Sequence, residues 1–238
     1  MRRAVASLAA TVFLFCVSAG DAVGRNEHGF VCSAGDGLVV AADSQAEIYI
    51  AHEPYYEEGT HARLGTLASY RGCVYGRARS FLLGMVGVGS SRGGVSTGNI
   101  TLHGTVVAYA KYRAVIEIAE VVQLTVQDLR TGRVIRSVPD GVPLKVTSDY
   151  FSIGVGQISS IVLKTDGSVA WIARDVLRSE KAEHETGKEV NYYDLYALDR
   201  HGERLIAAGT DVAPNSLALA GTVVYWTEGG TPHSAPLG

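Results

Sequence analysis

The sequence predicts an all-β fold: a small or incomplete β-propeller-like array of antiparallel sheets, with a β-sandwich built from the same hairpins as the alternative. Two observations carry this expectation. A strand, a tight glycine turn and a second strand recur along the chain. Leu217-Ala-Leu-Ala-Gly-Thr-Val-Val-Tyr-Trp226 returns as Ile100-Thr-Leu-His-Gly-Thr-Val-Val-Ala-Tyr109, and as Ile161-Val-Leu-Lys-Thr-Asp-Gly-Ser-Val-Ala-Trp171 with a longer turn. The second halves of the units repeat too, since Asp199-Arg-His-Gly202 matches the Leu129-Arg-Thr-Gly132 turn. A phrase recurring at long intervals is the signature of stacked supersecondary units, and four-stranded units arranged radially bury their apolar faces against one another. If matching positions share a packing environment, Val107, Val169 and Val223 should have similar surroundings. Asp36-Gly-Leu-Val-Val-Ala-Ala42 reads as the second half of a fourth copy, and the last unit stops short. The first and last stretches are therefore expected to share one sheet and close the ring.

The N-terminus has a charged start at Arg2 and Arg3, an apolar run over residues 4–17, and then small residues. This is the layout of a secretory signal peptide, residues 1–22, with cleavage expected after Ala19 or Ala22. The run is shorter than the about 20 apolar residues a bilayer span requires, so no transmembrane span is expected after cleavage. Residues 23–238 then form a single domain, a length that all-β folds reach as one unit, secreted or held in the cell envelope. The net charge of −3, without a basic stripe, argues against nucleic acid, whose binding rests on clustered Lys and Arg. Cys16 leaves with the signal. Cys32 and Cys73 remain, and in an oxidising compartment they either pair as a structural disulfide or stay as buried thiols.

Taken in order, residues 38–42 and 48–50 read as two short strands, and residues 52–59 as a polar loop punctuated by Pro54 and Gly59. Residues 67–70, 73–75 and 81–83 read as three short strands with Arg-rich turns. Residues 84–98 are a Gly- and Ser-rich connection, too costly in entropy to hold a regular element. The first full unit has strands over 100–102, 105–112, 121–129 and 133–138. Val122, Leu124 and Val126 alternate with Gln123, Thr125 and Gln127, the pattern of a sheet with one side buried. The next unit has strands over 158–163 and 169–173, resumes over 192–198 and ends over 204–207. Between its halves, residues 174–189 are dense in both charge signs and read as a solvated loop holding at most a turn of helix.

The motifs that suggest chemistry lack their context. Gly89-Ser-Ser-Arg-Gly93 fits Gly-x-Ser-x-Gly, with Ser91 as the nucleophile of a serine hydrolase, but a strand rather than a helix is expected to follow. His184-Glu185 begins like a zinc-protease motif, yet the position four after His184 is Lys188, so the second imidazole is missing. The remaining histidines are scattered, and no catalytic, cofactor-binding or metal residue is assigned. Asn99-Ile-Thr101 fits a glycosylation acceptor. Tyr55, Tyr56, Tyr192, Tyr193, Trp171 and Trp226 could stack on sugar rings, although the matching places of Trp171 and Trp226 in the repeat favour core packing for those two.

The phrases Val126-Gln-Asp-Leu-Arg-Thr-Gly-Arg-Val-Ile135, Val162-Leu-Lys-Thr-Asp-Gly-Ser-Val-Ala-Trp171 and Asn215-Ser-Leu-Ala-Leu-Ala-Gly-Thr-Val-Val-Tyr-Trp-Thr-Glu-Gly-Gly230 resemble a group of secreted, uncharacterised bacterial proteins with β-propeller-like repeats. The resemblance spans residues 67–237, is strongest in the last third, and implies a fold and a binding scaffold rather than an activity. The expected role is binding to a protein or an extracellular glycan through loops on one face. A serine hydrolase using Ser91 and a purely structural envelope protein are the competing readings.

Overall fold

The computed structural model describes residue 32 and residues 37–56, 62–86, 95–115, 118–139 and 158–238; the expected signal peptide lies outside them. Among the described residues the fold is all-β with one helix. Four meanders of antiparallel strands follow one another along the chain. The first is β1 (Leu38–Ala42), β2 (Ala46–Tyr56), β3 (Arg63–Val74) and β4 (Ser80–Met85), and the second is β5 (Val95–His103), β6 (Val106–Val115), β7 (Ile118–Asp128) and β8 (Arg133–Pro139). A single parallel pair, Met85 with Ser96, joins these two into one eight-stranded sheet folded over at that point. The third is β9 (Ile158–Leu163), β10 (Val169–Asp175), β11 (Tyr192–Asp199) and β12 (Gly202–Gly209), with α1 (Val176–Thr186) between β10 and β11. The fourth has three strands, β13 (Ala218–Ala220), β14 (Val223–Glu228) and β15 (Thr231–Pro236). We call the meanders sheets I to IV.

The recurring phrase is the hairpin between the first and second strand of sheets II, III and IV. Its turn glycines, Gly104, Gly167 and Gly221, have φ of 60°, 83° and 58°, a region open to glycine because it has no Cβ. The second strand then faces both neighbours. In β6, Val107 and Tyr109 pack toward sheet I, while Val106, Ala108 and Ala110 pack toward sheet III. In β10, Val169 and Trp171 face sheet II, whereas Ala170 and Ile172 face sheet IV. In β14, Val224 and Trp226 face sheet III. Three apolar clusters therefore separate four layers, I against II, II against III and III against IV. Val107, Val169 and Val224 are each fully buried, a contribution of roughly 2 kcal/mol apiece. The expectation therefore fails at Val223, which is half-buried: counted from the turn glycine, Val223 matches Val106, and the counterpart of Val107 is Val224.

Polar side chains stitch the layers at the end that carries these turns. Gly104 N–H donates to Asp43 Oδ2 (2.9 Å), Arg77 reaches the Arg130 carbonyl of sheet II (3.0 Å), and Arg136 reaches the Asp199 carbonyl of sheet III (3.1 Å). Arg204 and Lys164 of sheet III reach the Pro236 and Leu237 carbonyls (2.9 and 3.0 Å). Along the first strands, Thr101 donates to the Ile161 carbonyl and Ser160 to that of Pro214.

Several local expectations change under tertiary pairing. Leu38–Ala42 is the first strand of a complete meander, not the second half of a copy, and Val39 and Val40 are exposed. Strand β2 runs straight through the expected 52–59 loop as far as Tyr56, because residues 51–56 pair with β3. Pro54 is tolerated there because β1 pairs with residues 47–50, and among the described residues no strand pairs with this half of β2 on its other side. Strand β3 is continuous where two short strands were expected, and Gly72 sits in its interior: a Cβ there would lie 2.6 Å from Leu129 Cδ2. The alternation in β7 does not leave one face wet. Leu124 and Val126 face sheet III, and Thr125 and Gln127 are also buried, with Gln127 accepting from Tyr109 Oη (3.0 Å).

Cys32 and Cys73 form a disulfide with Cα atoms 5.7 Å apart, packed with Tyr49 on the outward face of sheet I. Its presence fits an oxidising compartment. Among the described residues no helix is long and apolar enough to cross a membrane.

Candidate functional site

The antiparallel meanders give the stack two unlike ends. The hairpins between first and second strands and between third and fourth strands share one end. The connections between second and third strands share the other.

At the first end, charged groups are spent on structure. Asp199 terminates β11 with its side chain fully buried, accepting N–H bonds from His201 and Gly238 (both 2.8 Å) and pairing with Arg204 (2.7 Å). Burial would push its carboxyl up, but Arg204 and the two N–H donors outweigh it and hold it down to about 2. Asp166 and Asp128 cap their own turns in the same way, through Ser168 N–H (2.8 Å) and Arg130 N–H (2.9 Å). Leu237 is buried between sheets III and IV, so Asp199 ties the end of the chain to sheet III.

The opposite end carries α1, the exposed Tyr55 and Tyr56 at the close of β2, and the half-buried Tyr192 and Tyr193 at the start of β11. Helix α1 is an ordered element where a loop was expected. Asp175 caps its start by accepting from Arg178 N–H (2.9 Å), and Gly187 ends it in the left-handed region at φ 66°. A polar chain anchors it to the core. Trp171 stacks on Tyr196 (5.5 Å), Tyr196 Oη donates to Asp194 (3.0 Å), and Arg178 bridges Asp194 and Asp175 while lying over the Tyr192 ring. Burial opposes the Arg178 charge, but the two carboxylates more than offset it and its pKa is raised. Burial, reinforced by Asp194, raises the Tyr196 pKa above that of an ordinary phenol. Ser179 completes the anchor, donating to the Asp175 carbonyl (2.6 Å) and accepting from Tyr192 N–H (2.9 Å). The outer turns of α1 present Glu180, Lys181, Glu183 and Glu185 to solvent.

Ser91 and the surrounding residues 87–94 lie outside the described residues. His184 is exposed on α1, and among the described residues no group of three His, Cys, Asp or Glu could hold a metal ion. Asn99 is exposed on β5 with φ 48°, and its Oδ1 accepts from Tyr112 Oη. Trp171 and Trp226 are core residues, with Trp226 stacked on His233 at 5.6 Å. The sequence brings Tyr55 with Tyr56, and Tyr192 with Tyr193, to one end of the stack but on different sheets.

The Asp194–Arg178 anchor and the Asp199 tie escaped the sequence reading. Asp175 and Gly187 do bracket a helical length as cap residues, a signal that the density of charge in the insertion hides. No protein-family model matches this chain, and neither curated proteins nor solved structures show a similar one.

Proposed function

We propose that this chain is an exported, propeller-like binding scaffold whose ligand-binding end is the one bearing α1 and the exposed tyrosines, and whose ligand is a protein or an extracellular glycan. The contrast between the two ends carries the reading. At the turn end, Arg77, Arg136, Arg204 and Lys164 are committed to carbonyls of neighbouring sheets. At the other end, Tyr55 and Tyr56 are 40% and 51% exposed, and the charged outer surface of α1 takes no part in the core. Aromatic rings on a rigid support offer contact area at low entropic cost. The array supports the propeller-like reading through its chain-ordered layers and its adjoining first strands, β1 with β5, β5 with β9 and β9 with β13. The signal-peptide layout read in the sequence of residues 1–22 and the Cys32–Cys73 disulfide support export.

The test is retention of purified protein on glycan arrays and on envelope extract, comparing wild type with a Tyr55→Ala/Tyr56→Ala variant, a Glu180→Lys/Glu183→Lys variant and an Arg200→Ala/His201→Ala variant of the turn end. A specific ligand whose binding falls at least about tenfold in one of the first two, and not in the third, supports the reading. Binding lost with the turn-end variant alone overturns it. Stoichiometric labelling of Ser91 by a serine-directed probe, with no ligand retained, would instead favour the hydrolase.

A further inference from the structure

Arg174 lies one residue before the end of β10, at the end of the stack that carries α1. Alternation along the strand decides its direction. Trp171 and Ala173 face sheet II, whereas Ala170 and Ile172 face sheet IV, so Arg174 lies on the sheet IV side. The residue is half-buried, its Nε is buried without a hydrogen-bond partner, and no carboxylate among the described residues pairs with it. Other arginines of the stack are committed. Arg178, four residues on, bridges Asp175 and Asp194, and Arg77, Arg136 and Arg204 each hold a backbone carbonyl. Across the seam between sheets III and IV, Glu228 shares the side of β14 that carries Val224 and Trp226, but its Oε2 accepts from Trp226 Nε1 (3.5 Å) rather than from Arg174.

A guanidinium drawn out of water without a counter-charge is costly, and a buried donor left unmade adds its own desolvation penalty. An orphaned donor of this kind in a native fold calls for a partner from outside the chain. The neighbour of Arg174 narrows the chemistry. Tyr193 is its direct partner between β10 and β11, a pairing that sets the two Cβ atoms about 5 Å apart, and it packs at the margin of the same apolar layer. On its other flank Tyr193 pairs with Gly209, where an added Cβ would have only Asp211 N, at 3.9 Å, within 4 Å. That flank of the ring is left open by a residue without a side chain.

We propose that Arg174 and Tyr193 form an acidic-sugar subsite, taking a uronate residue of an extracellular glycan; this rests on the reading above that the α1 end binds the ligand. The pyranose ring lies against the open flank of Tyr193. Its carboxylate, carried directly on the ring, reaches the neighbouring guanidinium as a charge-assisted pair. An acidic peptide would also satisfy Arg174, but it gives no use to the aromatic flank beside it.

The test is calorimetric titration of the purified protein with tetragalacturonate, tetraglucuronate, the methyl ester of each, and tetraglutamate, together with the arginine Nε–Hε signals of 15N-labelled protein. At least one uronate is expected to bind, with affinity at least about tenfold lower for its methyl ester and for Arg174→Ala. It should also shift one Nε–Hε signal, the one that is missing from Arg174→Lys. Arg174→Lys keeps the charge and lacks the planar fork, so it too should weaken binding, and it decides the matter should Arg174→Ala fail to fold. Binding of neither uronate at about 10 mM, equal binding of the ester, tighter binding of tetraglutamate, or indifference to both Arg174 substitutions overturns the proposal. The subsite and the ligand-binding end fail separately. Uronate binding that falls with Tyr55→Ala/Tyr56→Ala or Glu180→Lys/Glu183→Lys, but not with the Arg174 substitutions, removes the subsite and keeps the α1 end; loss with Arg200→Ala/His201→Ala alone removes both.

Discussion

Asp199→Ala removes the carboxylate that joins sheet III to the end of the chain. In the folded protein this side chain is fully buried, accepts N–H bonds from His201 and Gly238 at 2.8 Å each, and pairs with Arg204 at 2.7 Å. A hydrogen bond to a charged group contributes about 1.5–3 kcal/mol, and the donors left behind have no replacement acceptor. Arg204, 35% exposed, regains part of its hydration, so the three losses together amount to about 4 kcal/mol. Asp128 is the internal control. It caps its turn through Arg130 N–H (2.9 Å) and pairs with the well-exposed Arg130. Asp128→Ala therefore costs about 1 kcal/mol, the usual price of a lost cap or surface pair. Urea unfolding at neutral pH, followed by tryptophan fluorescence, measures both variants against wild type. A separation of about 3 kcal/mol between them is expected. If Asp199→Ala is no more destabilising than Asp128→Ala, the tie between the chain end and sheet III is not what holds sheet IV in place.

Further outcomes follow from the same contacts. The folded Asp199 carboxyl lies at about 2, below its ordinary 3.8, so its contribution of about 2 kcal/mol is complete above about pH 4 and is lost as pH falls toward 2. Asp199→Asn should lack that acid-dependent loss when urea midpoints are compared across this window. Opening the Cys32–Cys73 bridge with Cys32→Ser/Cys73→Ser frees a 41-residue separation, a loss of about 4 kcal/mol on the chain-entropy model, read from the same unfolding curves. Trp171→Ala empties a fully buried site between sheets II and III and should cost about 3–5 kcal/mol; calorimetry gives the value. Arg178→Ala should raise amide exchange across α1 by at least about tenfold while leaving β10 protected, since it cuts the link from the helix to Asp194.

The repeated hairpin was legible because its glycines are required by geometry: Gly104 and Gly221 hold left-handed turns that other residues resist. Burial of the matching valines could be read for the same reason, although Val223 matches Val106 and the true counterpart of Val107 is Val224. The course of β2 through Pro54 could not be read, because it depends on which stretch of β2 has β1 beside it, a non-local fact. In β7 the alternation of Val and Gln signals one wet face, yet sheet I covers Gln127 and Tyr109 satisfies it. Asp199 looked like an ordinary turn residue; its third partner, Gly238, lies 39 residues away. Helix α1 was obscured for a chemical reason, since its stability comes from caps and from the Arg178 anchor rather than from an apolar stripe.

Methyl-to-methyl nuclear Overhauser contacts on protein labelled at Ile, Leu and Val methyls test the layered order most directly. Three separate networks are expected, with Val107 in that of Ile48, Leu83 and Leu129, Val169 in that of Leu124, Val126 and Leu163, and Val224 in that of Ile172, Leu195 and Leu237. Cross-peaks placing Val224 with Ile48 or Val107 with Leu195 would contradict the stacking of sheets I to IV in chain order.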